Sequence, residues 1–223
     1  MVTRNLTFRS NNLGENVTLM LCFTPPNEDL FINQFPVAWK VTGLAANGGS
    51  ILEVTWTENL AYTATQRGQG SIVTAGSYTP IKVGQTTTLR LDNPSGVPIR
   101  AWTKPVPEVP DQALAAKGIV RGRNETGGPA GIGLGFLTDA GTATEGVNVA
   151  LTWPNVGNTQ TVAGKFTPVL SAYVALRYKQ SQIIEGELQQ ETPIWKKDLL
   201  GLQGDTTIVV SKKGDGSFVA TEI

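Results

Sequence analysis

Three places in this 223-residue chain bring chemically capable residue types together at short spacing. The first is Gly131-Ile132-Gly133-Leu134-Gly135-Phe136, preceded by Gly127-Gly128-Pro129. Glycines at every second position do not make a dinucleotide-binding loop, which needs wider spacing and a following helix. On a strand, side chains alternate between faces. Gly131, Gly133 and Gly135 would then leave one face as bare backbone, while Ile132, Leu134 and Phe136 fill the other. Glycine weakens a strand, and close approach by a ligand or another backbone is a common reason for it. The ligand reading makes this face a smooth wall for a long, flat, apolar molecule. The packing reading sets another sheet or an aromatic ring against it.

The second place is Glu185-Gly186-Glu187, which puts two carboxylates on one face of a predicted strand over 182–188. Strand neighbours two apart lie about 6.5–7 Å apart along the backbone, a separation from which a retaining glycosidase pair can be built. Gln189 stands where a third acid would be, and aromatic residues are only 7% of the chain, so a solvated edge is the expected role. The third place is Arg121 with Arg123, which share a strand face and could fork onto one carboxylate. Solvation explains most such pairs. The chain also has five tryptophans. Trp39, Trp56 and Trp153 sit within strand patterns and read as core. Trp102 and Trp195, each flanked by proline and lysine, are the candidates for a pocket, surface or subunit contact.

Composition removes most other chemistry. There is no histidine, which excludes Ser-His-Asp and Cys-His catalysis and every His-ligated metal site. The single cysteine, Cys22, excludes zinc ribbons, iron–sulfur clusters and intrachain disulfides, and with no basic neighbours it reads as a buried, inert thiol. Lys and Arg number 18 against 18 Asp and Glu, which argues against nucleic acid. No stretch of about 18 apolar residues suggests a membrane span, and Met1 to Phe8 has no uninterrupted apolar run, so a cytoplasmic location is expected. On that reading the sequons at Asn5, Asn16 and Asn124 are accidents of a Thr-rich chain. No base, nucleophile or metal set is left, so neither an enzyme nor a metal cofactor is expected.

The elements that must position these residues are strands. Charged residues make up 16% against the usual figure of about 25%, while 25 Gly and 13 Pro punctuate short alternating runs at roughly ten-residue intervals. Predicted strands include 16–23, 37–41, 51–57, 60–65, 72–77, 86–91, 118–121, 131–137, 147–153, 169–178 and 206–210, with hairpins favoured at the glycine turns. Pro105-Val106-Pro107-Glu108-Val109-Pro110 reads as a stiff connector. Asp111 after it caps the one clear helix, which runs through Lys117 and stops at Gly118. The fold class is all-β: an antiparallel sandwich of two packed sheets with at most one or two short helices, in a single domain over 1–223. A weak echo of Asn16-Val17-Thr18-Leu19 in Asn148-Val149-Ala150-Leu151 leaves open a duplication whose halves would meet near 104–118.

The second strand, the segment Phe35-Pro36-Val37-Ala38-Trp39-Lys40-Val41 and the tail Ile208-Val209-Val210-Ser211 resemble the polyene-binding chromoproteins of oyster-type mushrooms and their basidiomycete relatives. The resemblance rests on general sequence character over the whole chain and carries over no site residue. It implies a β-sandwich that holds a polyene-type pigment non-covalently, tuning its colour and keeping it in solution. A conjugated rod loses little conformational entropy on binding. It needs a long apolar slot, for which the glycine face is the candidate wall, and a cation at one end. A slot between two subunits of a homodimer would cover more of the rod. Two other classes stay open: a fruiting-body lectin using loops such as Asn155-Val156-Gly157-Asn158, and a membrane-active pore former, which lacks an amphipathic stretch of the required length.

Overall fold

The computed structural model of the chain describes residues 2–26, 28–165, 167–174, 177–186, 188 and 191–223. Its strands, numbered along the chain, form four sheets. Sheet I contains β1 (Thr3–Asn11), β5 (Ile51–Thr57), β16 (Asp205–Lys212) and β17 (Phe218–Glu222), in the order β17-β16-β1-β5. Sheet II contains β2 (Val17–Phe23), β4 (Ala38–Leu44), β14 (Val169–Val174) and β15 (Trp195–Asp198), in the order β15-β14-β2-β4. Sheet III contains β3 (Phe35–Pro36), β6 (Leu60–Arg67), β7 (Val73–Ile81), β11 (Ala130–Thr138) and β12 (Gly146–Val156), in the order β3-β12-β11-β6-β7. Sheet IV contains β8 (Thr86–Asp92), β9 (Ile99–Trp102), β10 (Ile119–Glu125) and β13 (Thr161–Lys165), in the order β13-β10-β8-β9.

The all-β sandwich expected from the strand pattern is what forms, with four sheets where two were expected. Two neighbour pairs, β1 with β16 and β8 with β10, run parallel. The second pair joins strands on either side of residues 104–118, so the chain between them makes the crossover a parallel pair requires. Two of the glycine turns also depart from expectation. The turn at Asn47-Gly48-Gly49 leads from β4, which pairs with β2, to β5, which pairs with β1. The turn at Val83-Gly84 leads from sheet III to sheet IV. A glycine turn fixes where the chain reverses, but here the two inner faces are buried by setting successive strands in opposite layers.

Helix α1 (Gln112–Ala116) forms where the sequence placed it. Asp111 Oδ1 accepts from the backbone N–H groups of Ala113 at 2.8 Å and Leu114 at 3.0 Å, and Gly118 ends the turn at φ +67°. The tail forms the expected hairpin, with Val209 opposite Thr221. Sheets I and II meet through Phe8, edge-on to Trp195 at 5.7 Å. Sheets III and IV meet through Tyr62, whose hydroxyl donates to Val120 O at 3.2 Å. The two pairs of sheets join where Phe136 lies 4.6 Å from Phe23 and 5.6 Å from Trp56, measured between ring centroids. One buried cluster runs through all four sheets.

Cys22 is fully buried beside Met20, Ala38 and Tyr173, and burial pushes its thiol far above the ordinary range. The thiolate is the reactive form. The native protein is therefore expected to be inert to 5,5′-dithiobis(2-nitrobenzoate), releasing one equivalent of thionitrobenzoate only on unfolding in denaturant. Stoichiometric reaction in native buffer within minutes would contradict this packing. Among the described residues there is no group of three or more potential metal-ligating side chains, and no helix is long and apolar enough to cross a membrane.

Candidate ligand groove

The glycine-rich strand β11 lies in the middle of sheet III, between β6 and β12. Its glycine face is not open. A Cβ added at Gly131 would lie 2.6 Å from Thr65 Oγ1, and one at Gly133 would lie 2.7 Å from Thr65 Cγ2 and 3.1 Å from both Thr63 Cγ2 and Val149 Cγ1. One at Gly135 would collide with the carbonyl oxygen of Asn148. Side chains of the flanking strands lean over the bare backbone, and Val149 is itself buried with Val37, Val73 and Ile183. The smooth wall expected at Gly131, Gly133 and Gly135 is therefore filled by the protein. Of the three, Gly131 lines a groove, and Gly135 borders an apolar cavity of only about 10 Å³, too small for such a ligand.

The other candidates divide. Trp195 is a core residue, 6% exposed, with its indole N–H donating to Glu222 Oε1 at 2.8 Å. Alternation puts Lys196 on the opposite face of β15, while Lys197 shares the face of the ring and pairs with the same Glu222 at 3.2 Å. Arg121 and Arg123 do share the exposed face of β10, as expected. The carboxylate that meets Arg123 belongs to the chain: Glu125 pairs with Arg123 and with Arg90, each at 3.1 Å. Residues 182 and 183 make isolated bridges and no strand follows them, Glu185 pairs with Arg67 at 2.8 Å, and Glu187 and Gln189 lie outside the described residues. The loop Asn155–Asn158 spends polar groups internally: Asn158 Oδ1 accepts from Gly127 N at 3.0 Å, and Val156 O accepts from Asn124 at 2.7 Å.

Trp102 remains, and it stands in a different setting. Strands β7 and β9 are the adjacent edges of the facing sheets III and IV. Trp102, half-buried on β9, bridges them. Its indole N–H donates to Ser77 O on β7 at 3.0 Å, and its ring stacks on Tyr62 at 5.7 Å. A groove opens on each side of this bridge. The larger, about 880 Å³, is walled by Pro80, Ile81, Val83, Pro105, Pro110 and Leu137, with Leu200 at its rim. The smaller, about 660 Å³, lies between Gly76 and Ser77 on one side and Leu91, Pro98, Ile99 and Arg100 on the other, over Gly131.

Local sequence explains the larger groove. Pro80 cannot donate to a neighbour, so its strand ends a sheet, and Pro105 and Pro110 give the opposite wall fixed φ and no N–H groups to hydrate. Gln85 ties the walls together: Oε1 accepts from Lys82 N and Nε2 donates to Pro107 O, both at 2.9 Å. Gly84, at φ +88°, is held 2.6 Å (from its would-be Cβ) below Asp111 O, which locks the helix start against the same rim. The groove's charges are mostly engaged. Lys104 pairs with Glu108 at 3.2 Å, and Glu58 accepts from Val2 N at 2.9 Å. Lys82 is exposed and has no ion-pair partner among the described residues. Neither Lys82 nor Pro80 stood out in the sequence, and Pro105 and Pro110 did so as parts of a connector, not of a wall.

No protein-family model, curated protein or solved structure matches the chain.

Proposed function

We propose that this protein is a non-enzymatic binding protein that holds a long, rigid, apolar ligand of the polyene-pigment class, not at the glycine strand but in the proline-walled groove at the open edge of sheets III and IV. The observation that carries this reading is the groove itself: about 880 Å³ of mainly apolar, proline-stiffened surface with a cation, Lys82, that has no ion-pair partner among the described residues. That volume lies within the span of small-molecule sites, roughly 300–1,000 Å³. Burying about 300 Å² of apolar ligand surface would contribute roughly 7 kcal/mol before association costs, which are smallest when the ligand is already rigid. Fixed prolines limit what the walls lose on binding. Lys82 would meet a terminal carboxylate.

A conjugated polyene fatty acid whose emission rises in apolar surroundings is the direct probe, titrated into the purified protein. Saturable binding is expected. Leu200→Asp puts a charge at the apolar rim and should lower affinity at least tenfold with little change in melting temperature, because Leu200 is already 48% exposed. Lys82→Ala should weaken the free acid about tenfold and leave its methyl ester unaffected. No saturable binding, or binding indifferent to Leu200→Asp, would refute the site. Protein purified from its natural source should carry a visible absorption band that organic extraction removes and the returned extract restores.

A further inference from the structure

The two grooves follow one another along the same two edges. Gly76 and Ser77 line the smaller with Pro98, Ile99 and Arg100, whereas Pro80 and Ile81 line the larger with Lys104 and Pro105, and the run from Pro98 to Pro105 spans about 23 Å of extended chain. On the β9 side the residues between the two sets are Ala101, Trp102 and Thr103, and of these Trp102 reaches across to Ser77. Trp102 is held by one hydrogen bond to Ser77 O and by its stack on Tyr62. It is the exception among the tryptophans: Trp39, Trp56, Trp153 and Trp195 are each at most 6% exposed, whereas Trp102 already meets solvent. Rotating its ring outward would uncover Tyr62 as a flat floor. The Tyr62 hydroxyl would stay fixed on Val120 O, and the Ser77 carbonyl would keep the Thr63 hydroxyl, which donates to it at 3.1 Å. The far end of the joined slot carries its own cation. Arg100 has no ion-pair partner among the described residues, whereas its neighbour Arg67 is engaged by Glu185 at 2.8 Å and Ser71 at 2.6 Å.

We propose that the two grooves are halves of one slot, that Trp102 divides it and sets the length of ligand admitted, and that the full-length ligand is an apolar rod with an anionic group at each end, one on Lys82 and the other on Arg100. This rests on the ligand-binding reading above and adds the ligand's length and end-group chemistry to it. Leu91, Pro98 and Ile99 supply the apolar wall of the second half, and Leu91 and Ile99 are about half exposed.

The test compares a short polyene monocarboxylic acid with a long all-trans polyene dicarboxylic acid and its monomethyl ester, measured by absorption titration and equilibrium dialysis. On wild-type protein the diacid should bind at least tenfold more tightly than its monoester. Arg100→Ala should erase that difference and leave the short acid within twofold. Trp102→Ala should tighten the diacid at least fivefold, because no ring has to be displaced, again leaving the short acid within twofold. Trp102→Phe keeps the stack without the hydrogen bond to Ser77 and should fall between the two, which preserves the test if the alanine variant is unstable. Acrylamide quenching of Trp102 should rise when the diacid binds. If the short acid binds and responds to Lys82→Ala while the diacid gains nothing from Arg100, the single groove stands and the joined slot is wrong. If Trp102→Ala weakens both ligands, the ring is a platform and not a divider. If neither acid binds, both proposals fall.

Discussion

Gly135→Val is expected to abolish folding, lowering stability by about 4 kcal/mol or more, out of the roughly 5–15 kcal/mol typical of a domain. Overpacking a core usually costs about 1–3 kcal/mol because side chains can rotate away from an intruding group. Here the first atom met is the backbone carbonyl oxygen of Asn148 on the paired strand, with Val147 Cγ1 3.0 Å away on the same side. A carbonyl in a ladder can move only if the ladder moves. The register shift between Leu134 and Gly135, where Ala150 is the extra residue on β12, already bends that partner strand at this point. The contrasting substitution is Gly43→Val on the edge strand β4, where an added Cβ meets nothing within 4 Å. There a β-branched residue suits the strand, and the change should be neutral or slightly stabilising. Urea denaturation followed by tryptophan fluorescence measures both variants. A Gly135→Val protein with the wild-type midpoint would mean that the β11–β12 packing described above is wrong.

The same glycines show where sequence stops informing structure. Period-two alternation correctly put Gly131, Gly133 and Gly135 on one face and Ile132, Leu134 and Phe136 on the core side, where all three are at most 3% exposed. What covers the bare face depends on which strands flank β11 and how far Thr65, Thr63 and Val149 reach across it. Those neighbours lie up to seventy residues away, and nothing local specifies them. Strand limits were legible for the same reason the face was: β5 begins and ends where alternation and turn residues placed it, and Asp111 caps α1 through local hydrogen bonds. Pairing was less legible. The turns at Gly48 and Gly84 look like hairpin turns, yet both lead into another sheet.

The proline-walled groove was hidden for a related reason. It joins Pro80 and Val83 from one edge, Pro105 and Pro110 from the connector, and Leu200 from near the end of the chain. Pro80, Val83 and Leu200 alone are unremarked turn or rim residues, and the pairing of β8 with β10, together with the bridge from Thr86 to Val106, brings the connector to the edge of sheet III. Trp102 could be singled out from sequence because its neighbours are Arg100, Lys104 and Pro105, with few strand-core residues among them. Trp195 has similar neighbours and is buried. The difference lies in strand position: β9 ends a sheet facing the open edge β7, whereas Trp195 opens β15 against Phe8.

Asn124→Ala is expected to cost about 3–4 kcal/mol and to loosen the loops at 126–129 and 155–160 together, because one buried amide holds both. Asn124 is fully buried. Its Nδ2 donates to Gly128 O at 2.8 Å and to Val156 O at 2.7 Å, and its Oδ1 accepts from Thr126 N at 3.0 Å and Thr126 Oγ1 at 2.8 Å. Its backbone adds two more links, donating to Gln160 O and accepting from Thr159 N. Truncation would keep those two but leave carbonyls stripped of a donor, each costing about 1–3 kcal/mol where water cannot replace it. Asn124→Asp separates the donor's contribution from the shape: it keeps the acceptor for Thr126 but turns an oxygen toward the Gly128 and Val156 carbonyls. At neutral pH it should be at least as damaging as alanine. It should recover as pH falls, because the protonated acid can donate to one of the two carbonyls. This burial also means that Asn124, though within a glycosylation sequon, is closed to modification once the chain has folded. Hydrogen exchange read at Gly127 and Gln160 would follow the loosening directly. If exchange there stays at the wild-type rate in Asn124→Ala, the two loops are held by other contacts and the amide is dispensable.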